Sequence, residues 1–204
     1  MKTSSSPEID SVIFGGSFDP IHLGHLKVIH YIVAKFDIQK FLLLPSKSSP
    51  FKMGKYSLSD DERLKCINLA LDDYEDLYGK AERNKIVVDT YEIESKTECS
   101  YTADTICHYI NDEAFVLPVN FIIGDDILPS LHSWKNIDYL KANVRFIVLR
   151  RSDKNDDVEN AKVQLIQGGF NIVALDNPLY DYSSTAVKKG NRTLLSERVR
   201  VYLG

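Results

Sequence analysis

Six short apolar runs are spaced along the chain: "VIF" at 12, "FLLL" at 41, "IVV" at 86, "FII" at 121, "FIVL" at 146 and "IVAL" at 172. A continuous apolar run is the mark of a strand covered on both faces, because its alternate side chains enter two separate apolar layers. Between most of these runs lie segments with apolar residues at helical spacing, such as Leu26, Ile29, Val33 and Phe36, or Leu64, Ile67 and Leu71. The second segment opens with "SDDE". There Ser59 can cap a helix and Glu62 can reach back from the third helical position, with acidic charge favoured at the positive end of the helix dipole. Strands alternating with helices, joined by right-handed crossovers, predict an α/β fold: a doubly wound parallel sheet with helices on both faces.

The 204 residues, 44% hydrophobic and 26% charged, are enough for one sizeable core. A single domain over 1–204 is expected, with 1–10 as a loose N-terminal extension. The net charge of −4, with its signs interspersed, offers no basic stripe to neutralise a phosphate backbone, so nucleic acid is not the expected partner. Cys66, Cys99 and Cys107 are odd in number and show no paired spacing, which argues against a disulfide framework and a zinc site, and for a reducing cytoplasm. The start "MKTSSSPEID" lacks the apolar stretch of a signal peptide. Nowhere do the roughly 18 apolar residues of a membrane span run together.

Ligands of such sheets bind beyond the carboxyl ends of the strands. Polar segments fall there: "GGSFDP" after the first run, "PSKSSPFK" after the second, "GDD" after the fourth, "RRSDK" after the fifth, and "YSST" beyond the last. Within "GGSFDPIHLGH", Gly15 and Gly16 allow a sharp turn and a close approach of a ligand to the backbone. Pro20 stiffens the turn into the next helix. His22 and His25 lie three apart at a helix start, where N–H groups and the dipole favour an anion. Two imidazoles there can donate to phosphate oxygens and gain charge as negative charge builds up. The string is neither GxGxxG nor GxxxxGK[ST], so hydride transfer and P-loop hydrolysis lose their sequence support. A metal reading of the pair needs a third ligand, for which Asp19 is the candidate; no dedicated metal site is expected.

"GGSFDPIHLGH" resembles the GG(T/S)FDPxHxGH signature of the nucleotidyltransferase superfamily, which moves nucleotidyl groups from a triphosphate to a phosphate acceptor. Further segments resemble, in order, those of the bacterial-type nicotinate mononucleotide adenylyltransferases: "LLPSKSSPFK" at 43, "SYTADTI" at 100, "FIIGDD" at 121 with Trp134, "FIVLRR" at 146 and "YSSTAVKK" at 182. The likeness runs from residue 11 to the C-terminal "LLSERVRVYL". It implies a Rossmann-like domain and attack by the 5′-phosphate of nicotinate mononucleotide on the α-phosphorus of ATP, with Mg²⁺ bridging the phosphates. Such transfers depend mainly on positioning and charge stabilisation.

The resemblance also implies roles for individual residues. His22 and His25 are the catalytic pair. The ATP site comprises Gly15, Gly16, Ser17, Phe18, His22, Gly24, His25, Gly124, Asp126, Ser183, Ser184, Thr185 and Lys188. Asp126 is expected on the ribose hydroxyls, with Asp125 as the alternative and one of the two as a helix cap. Ser183, Ser184 and Thr185 precede a short helix and close on the phosphates. Lys188 stands where the family carries Arg, and offers a point charge without the bidentate fork. On the acceptor side, Tyr101 and Thr102 begin a helix read as running from Tyr101 to Phe115, whose amides can take the nicotinate carboxylate. Asp104 in its first turn opposes an anion. Trp134 can stack on the pyridine ring or pack in the core. Lys47, Lys52 and Arg151 are candidates for the acceptor phosphate. Phe51 and Ser46 stand where the family usually has His and Asn.

Three competing readings exist. Phosphopantetheine adenylyltransferase shares the first and last motifs but is not expected to carry the SYT, IGxD and Trp series. "KMGKYS" at 52 resembles the KMSKS loop of class I aminoacyl-tRNA synthetases, for whose other domains this chain is too short. A non-catalytic nucleotide sensor on the same fold would account for Phe51 and Lys188, whereas both histidines favour catalysis.

Overall fold

Each apolar run becomes a strand: β1 (Ser11–Gly16), β2 (Lys40–Pro45), β3 (Ile86–Val88), β4 (Val119–Gly124), β5 (Val144–Leu149) and β6 (Asn171–Ala174). The computed structural model describes residues 9–47, 57–96, 99–151, 156–180, 182 and 184–204. The strands pair in parallel in the order β3-β2-β1-β4-β5-β6, with Gly16 beside Pro45 and Gly124 beside Leu149. The order reverses between β1 and β4. That places the strand-end crevice directly beyond those two strands.

The helices are α1 (Leu23–Lys35), α2 (Asp60–Tyr78), α3 (Lys80–Arg83), α4 (Tyr91–Glu94), α5 (Thr102–Asn111), α6 (Ile137–Asn143), α7 (Asp156–Gln167), α8 (Ser184–Lys188) and α9 (Glu197–Tyr202). A 3₁₀ segment, Asp125–Ser133, follows β4. Alternation along the strands feeds two apolar layers. Val12, Phe41, Leu43, Ile122 and Ile147 face a layer shared with α1, α2 and α9. Ile13, Leu42, Leu44, Phe121, Phe146 and Val148 face one shared with α5, α6 and α7. This is why the strands read as unbroken apolar runs.

The α2 start forms as its sequence dictates: Ser59 Oγ accepts from the Glu62 N–H, and the Glu62 carboxylate accepts from the Ser59 N–H at 2.8 Å. The Glu62 carboxyl is held below its ordinary range by these Ser59 donors. Helix α5 ends at Asn111, short of the expected Phe115. Glu113 takes a left-handed φ of 54° and the Ala114 N–H turns back to the Tyr109 carbonyl, which closes the helix. At the start of the chain, Ile9 is already buried in the core and the Asp10 carbonyl accepts from the Gln39 N–H at 2.6 Å. The expected loose extension therefore does not include these two residues; 1–8 lie outside the described ones.

Candidate active site

The β1 exit shapes the rim differently from its expected form. Gly15 and Gly16 remain in the strand, and the left-handed turn falls at Phe18, whose φ is 42°. The glycines serve by being small: a Cβ on Gly16 would lie 3.1 Å from the Phe18 ring, and one on Gly15 3.1 Å from that of Phe121. Left-handed backbone is costly for a bulky residue. Phe18 is held there by burial, and its ring meets the His25 ring edge-on with centroids 5.0 Å apart. The strained turn thus becomes the prop of a candidate catalytic side chain.

His22 caps α1 and His25 is its third residue. Their rings stack with centroids 3.7 Å apart. The His22 N–H donates to His25 Nδ1 at 3.1 Å. That bond uses the Nδ1 lone pair, so the proton of a neutral His25 ring sits on Nε2. His22 is 4% exposed, and its Nδ1 has no hydrogen-bond partner among the described residues. Burial, and then the Arg151 guanidinium, push its pKa down to about 4. His22 is therefore neutral at pH 7 in this state. It enters as a neutral donor rather than the cation that a rising anion would call up.

Other rim residues gather around this pair. Asp19, three residues ahead of His22, is buried and accepts from the Ser57 and Leu58 N–H groups at 2.9 and 3.0 Å and from the Lys188 ammonium. Burial works against its ionisation, yet Lys188 and the Ser57 and Leu58 donors outweigh that and hold the carboxyl below its ordinary range. Lys188, expected on phosphate, is thus bound by Asp19. Helix α8 begins at Ser184, so Ser184 and Thr185 are its first residues rather than its prelude, and Ser184 Oγ donates to the Pro20 carbonyl at 3.4 Å. Tyr182 lies against Gly24, where an added Cβ would come within 2.6 Å of the Tyr182 Cβ. Its ring runs nearly parallel to that of His22, and Lys27 Nζ donates to its hydroxyl at 2.8 Å. Ser183 and Lys52 lie outside the described residues, as does Phe51.

After β4, neither aspartate caps the 3₁₀ segment; Gly124 holds the cap position. Asp125 is buried and accepts the Arg151 N–H at 3.1 Å, which ties the β4 exit to the β5 exit. Asp126 pairs with the Arg151 guanidinium at 3.3 Å. An added Cβ on Gly124 would meet Asp126 Oδ1 at 2.2 Å and Arg151 Cδ at 2.3 Å. On the acceptor side, Tyr101 caps α5 and Thr102 is its first residue. Asp104 is paired with Lys135 at 2.8 Å, and the Lys135 ammonium sits 4.4 Å from the Tyr101 ring centroid. Lys135 was not legible as a site residue, because the pair spans 31 positions and no motif includes it. Trp134 is half-buried and meets Phe146 edge-on. Lys47 donates to the Ser95 carbonyl. Among the described residues, no cluster of three or more His, Cys, Asp or Glu side chains could hold a metal ion. A cavity of about 980 Å³ between α2 and α9 is walled by Leu69, Asp73, Leu195 and Arg198 rather than by the rim loops, so strand-end chemistry marks the site.

A doubly wound parallel sheet with paired histidines capping the helix at its switch point defines an α/β protein built to hold a phosphate-bearing ligand there. The chain belongs to the cytidylyltransferase-like family, which it matches over residues 13–190, and within it to the nicotinate-nucleotide adenylyltransferases. A protein of Clostridium novyi named as a probable nicotinate-nucleotide adenylyltransferase is 33% identical over 86% of this chain and 84% of its own length. One of Fusobacterium nucleatum with the same name is 32% identical over 86% and 84%. Among solved structures, the fold is similar to a Plasmodium falciparum nicotinic acid mononucleotide adenylyltransferase complexed with NaAD, with a TM-score of 0.66 at 19% identity, covering 88% of this chain and 82% of that one.

Proposed function

We propose that this protein transfers the adenylyl group of ATP to the 5′-phosphate of nicotinate mononucleotide. An oxygen of that phosphate bonds to the α-phosphorus, the bond from the α-phosphorus to the bridging oxygen breaks, and pyrophosphate leaves with nicotinate adenine dinucleotide formed. The observation that carries the reading is the His22–His25 stack at the start of α1, directly beyond β1. First-turn N–H groups of an α-helix lack intrahelical acceptors and can bind phosphate oxygens. His25 Nε2–H and neutral His22 add donors, and Arg151 adds a cation close enough to depress the His22 pKa. A bound phosphate reverses that field and lets His22 share a proton as charge develops on the leaving pyrophosphate.

Lys188 supports the phosphates from its place beside Asp19, with Ser184 and Thr185 at the start of α8. Mg²⁺ enters with ATP. The nearby buried carboxylate, Asp19, is engaged by Ser57, Leu58 and Lys188, so the ion's oxygen ligands would come chiefly from the nucleotide. When bound, it neutralises phosphate charge. For the acceptor, the α5 amides behind Tyr101 face an anion whose repulsion by Asp104 is offset by Lys135, which favours the acid over the amide. The acceptor phosphate is left to Lys47, Lys52 and Arg151. This chemistry belongs to NAD biosynthesis, and a cytoplasmic location is proposed with it; among the described residues no helix is long and apolar enough to cross a membrane.

Pyrophosphate release from ATP and Mg²⁺, measured with nicotinate mononucleotide, nicotinamide mononucleotide or phosphopantetheine, tests the reading. Turnover is expected with the first and is weaker with the second. Preference for phosphopantetheine would reassign the acceptor. ATP binding without turnover on any of them would leave a sensor.

A further inference from the structure

Arg63, on the first turns of α2, is 0% exposed, and its guanidinium reaches both halves of the rim. Nη1 donates to the Ser17 carbonyl at 2.6 Å, and Nη2 donates to the Ser46 carbonyl at 2.8 Å and to Asp60 Oδ1 at 2.6 Å. Ser17 opens the loop that carries Phe18 and Asp19 and leads to His22, the cap of α1, and to His25 in its first turn. Ser46 follows β2 directly and leads to Lys47. The same two exits are also joined where the Ser46 N–H donates to the Gly16 carbonyl at 2.9 Å. Asp19 binds the Ser57 and Leu58 N–H groups just ahead of α2, so the start of this helix is fastened to the histidine loop at two points.

We infer that Arg63 is a positioning residue that fixes the ATP loop against the acceptor loop, and so sets the approach of the acceptor phosphate to the α-phosphorus; this rests on the adenylyl-transfer reading. Burying a guanidinium is expensive unless its donors are satisfied. The Asp60 carboxylate shares its charge, and that side chain is 40% exposed. The two carbonyls it also serves are those of the two reacting loops. A planar fork can hold two carbonyls at fixed separation, whereas an ammonium on a flexible stem cannot. In-line transfer depends steeply on alignment, and a misplacement near 1 Å can cost about 100-fold in rate. Each loop keeps its own ligand groups when the fork is lost. The loss therefore falls on kcat and spares binding.

The test measures kcat, both KM values, ATP affinity and Tm for the wild type, Arg63→Lys and Arg63→Met. The folded Lys variant is expected to lose about 100-fold in kcat with ATP affinity within about threefold of wild type. Full kcat in a folded Lys variant, or a kcat loss matched by an equal loss of ATP affinity, would overturn the inference. A second measurement needs no variant. In the wild type, saturation with α,β-methylene-ATP is expected to slow amide exchange at Ser46 and Lys47 as well as in the histidine loop. Protection confined to the histidine loop overturns the coupling, whichever variants fold. Failure of the adenylyl-transfer reading shows separately, as a wild type that protects both loops yet does not turn over nicotinate mononucleotide.

Discussion

His25 uses its two ring nitrogens differently, and substitutions can separate them. Nδ1 accepts the His22 N–H at the helix cap, while Nε2 carries the proton of the neutral ring and is the proposed donor to phosphate. Gln at the third helical position also reaches back to the cap N–H. His25→Gln should therefore keep Tm and lose kcat by about 100-fold, whereas His25→Ala should lose a comparable rate and about 1 kcal/mol of stability besides. Equal Tm values for the two variants would show that the cap bond contributes nothing. His22 gives a pH signature. Its pKa of about 4 lies below the ordinary 6.5, so as pH falls from 6.5 the unfolded chain takes up the proton first. Stability is then lost between about pH 6.5 and 4, by at most about 3 kcal/mol, and levels off below. Unfolding curves from pH 7 to 4 should drop further for the wild type than for His22→Gln, with Arg151→Met between them; parallel curves would refute the assignment. At the acceptor end, Lys135→Met should raise KM for nicotinate mononucleotide about two- to fivefold and leave that for the nicotinamide form unchanged. The histidines were legible in sequence because a helix start and an anion impose a local spacing. The Asp19–Lys188 and Asp104–Lys135 pairs join distant segments, and no local pattern encodes them.

Among the elements, helix α1 is where local propensity and tertiary fit conflict. Gly24 is its second residue, and Ala there would favour the helix by up to about 1 kcal/mol. The added Cβ would meet Tyr182 Cβ at 2.6 Å and His22 Nδ1 at 3.0 Å. A Cβ cannot swing away as a side-chain tip can, so the Tyr182 segment must move and carry the start of α8 with it. Gly24→Ala is expected to lower Tm despite its helix preference, and to raise KM for ATP roughly tenfold. A variant with raised Tm and unchanged kinetics would count against close packing of the α8 segment on α1. The same contrast explains what could be read element by element. The α2 start was legible because its capping box closes within four residues. The end of α5 was not, because a non-glycine residue, Glu113, adopts the left-handed conformation that stops it. Gly15 and Gly16 were legible as necessary, but as space for the rings of Phe121 and Phe18 rather than as a turn.

At the scale of the whole molecule, the sheet was legible because burial on both faces writes each strand as an apolar run, and the strand order then fixes where the rim lies. What closes the domain at its C-terminus was not, since it rests on side chains far apart in sequence. The α9 helix docks on α2 through Arg198: its N–H donates to Asp73 at 2.9 Å, and its guanidinium to Asp73 and Asp76 at 2.6 Å each. Those carboxylates raise the Arg198 pKa further above its ordinary value, so the clasp persists throughout the working pH range. Asp73 is buried, whereas the Arg198 side chain is 44% exposed. Truncation therefore leaves a buried carboxylate with only the backbone donor of the clasp, while the rim keeps every residue of the histidine stack. Arg198→Ala should lower Tm by several degrees, and by more at low salt than at high, because exposed pairs are screened. The kcat of the folded variant should stay within about twofold of wild type, since no rim residue is touched. A fall in kcat at a temperature where the variant is fully folded would show that α9 is coupled to the site through α2, the helix that also carries Arg63.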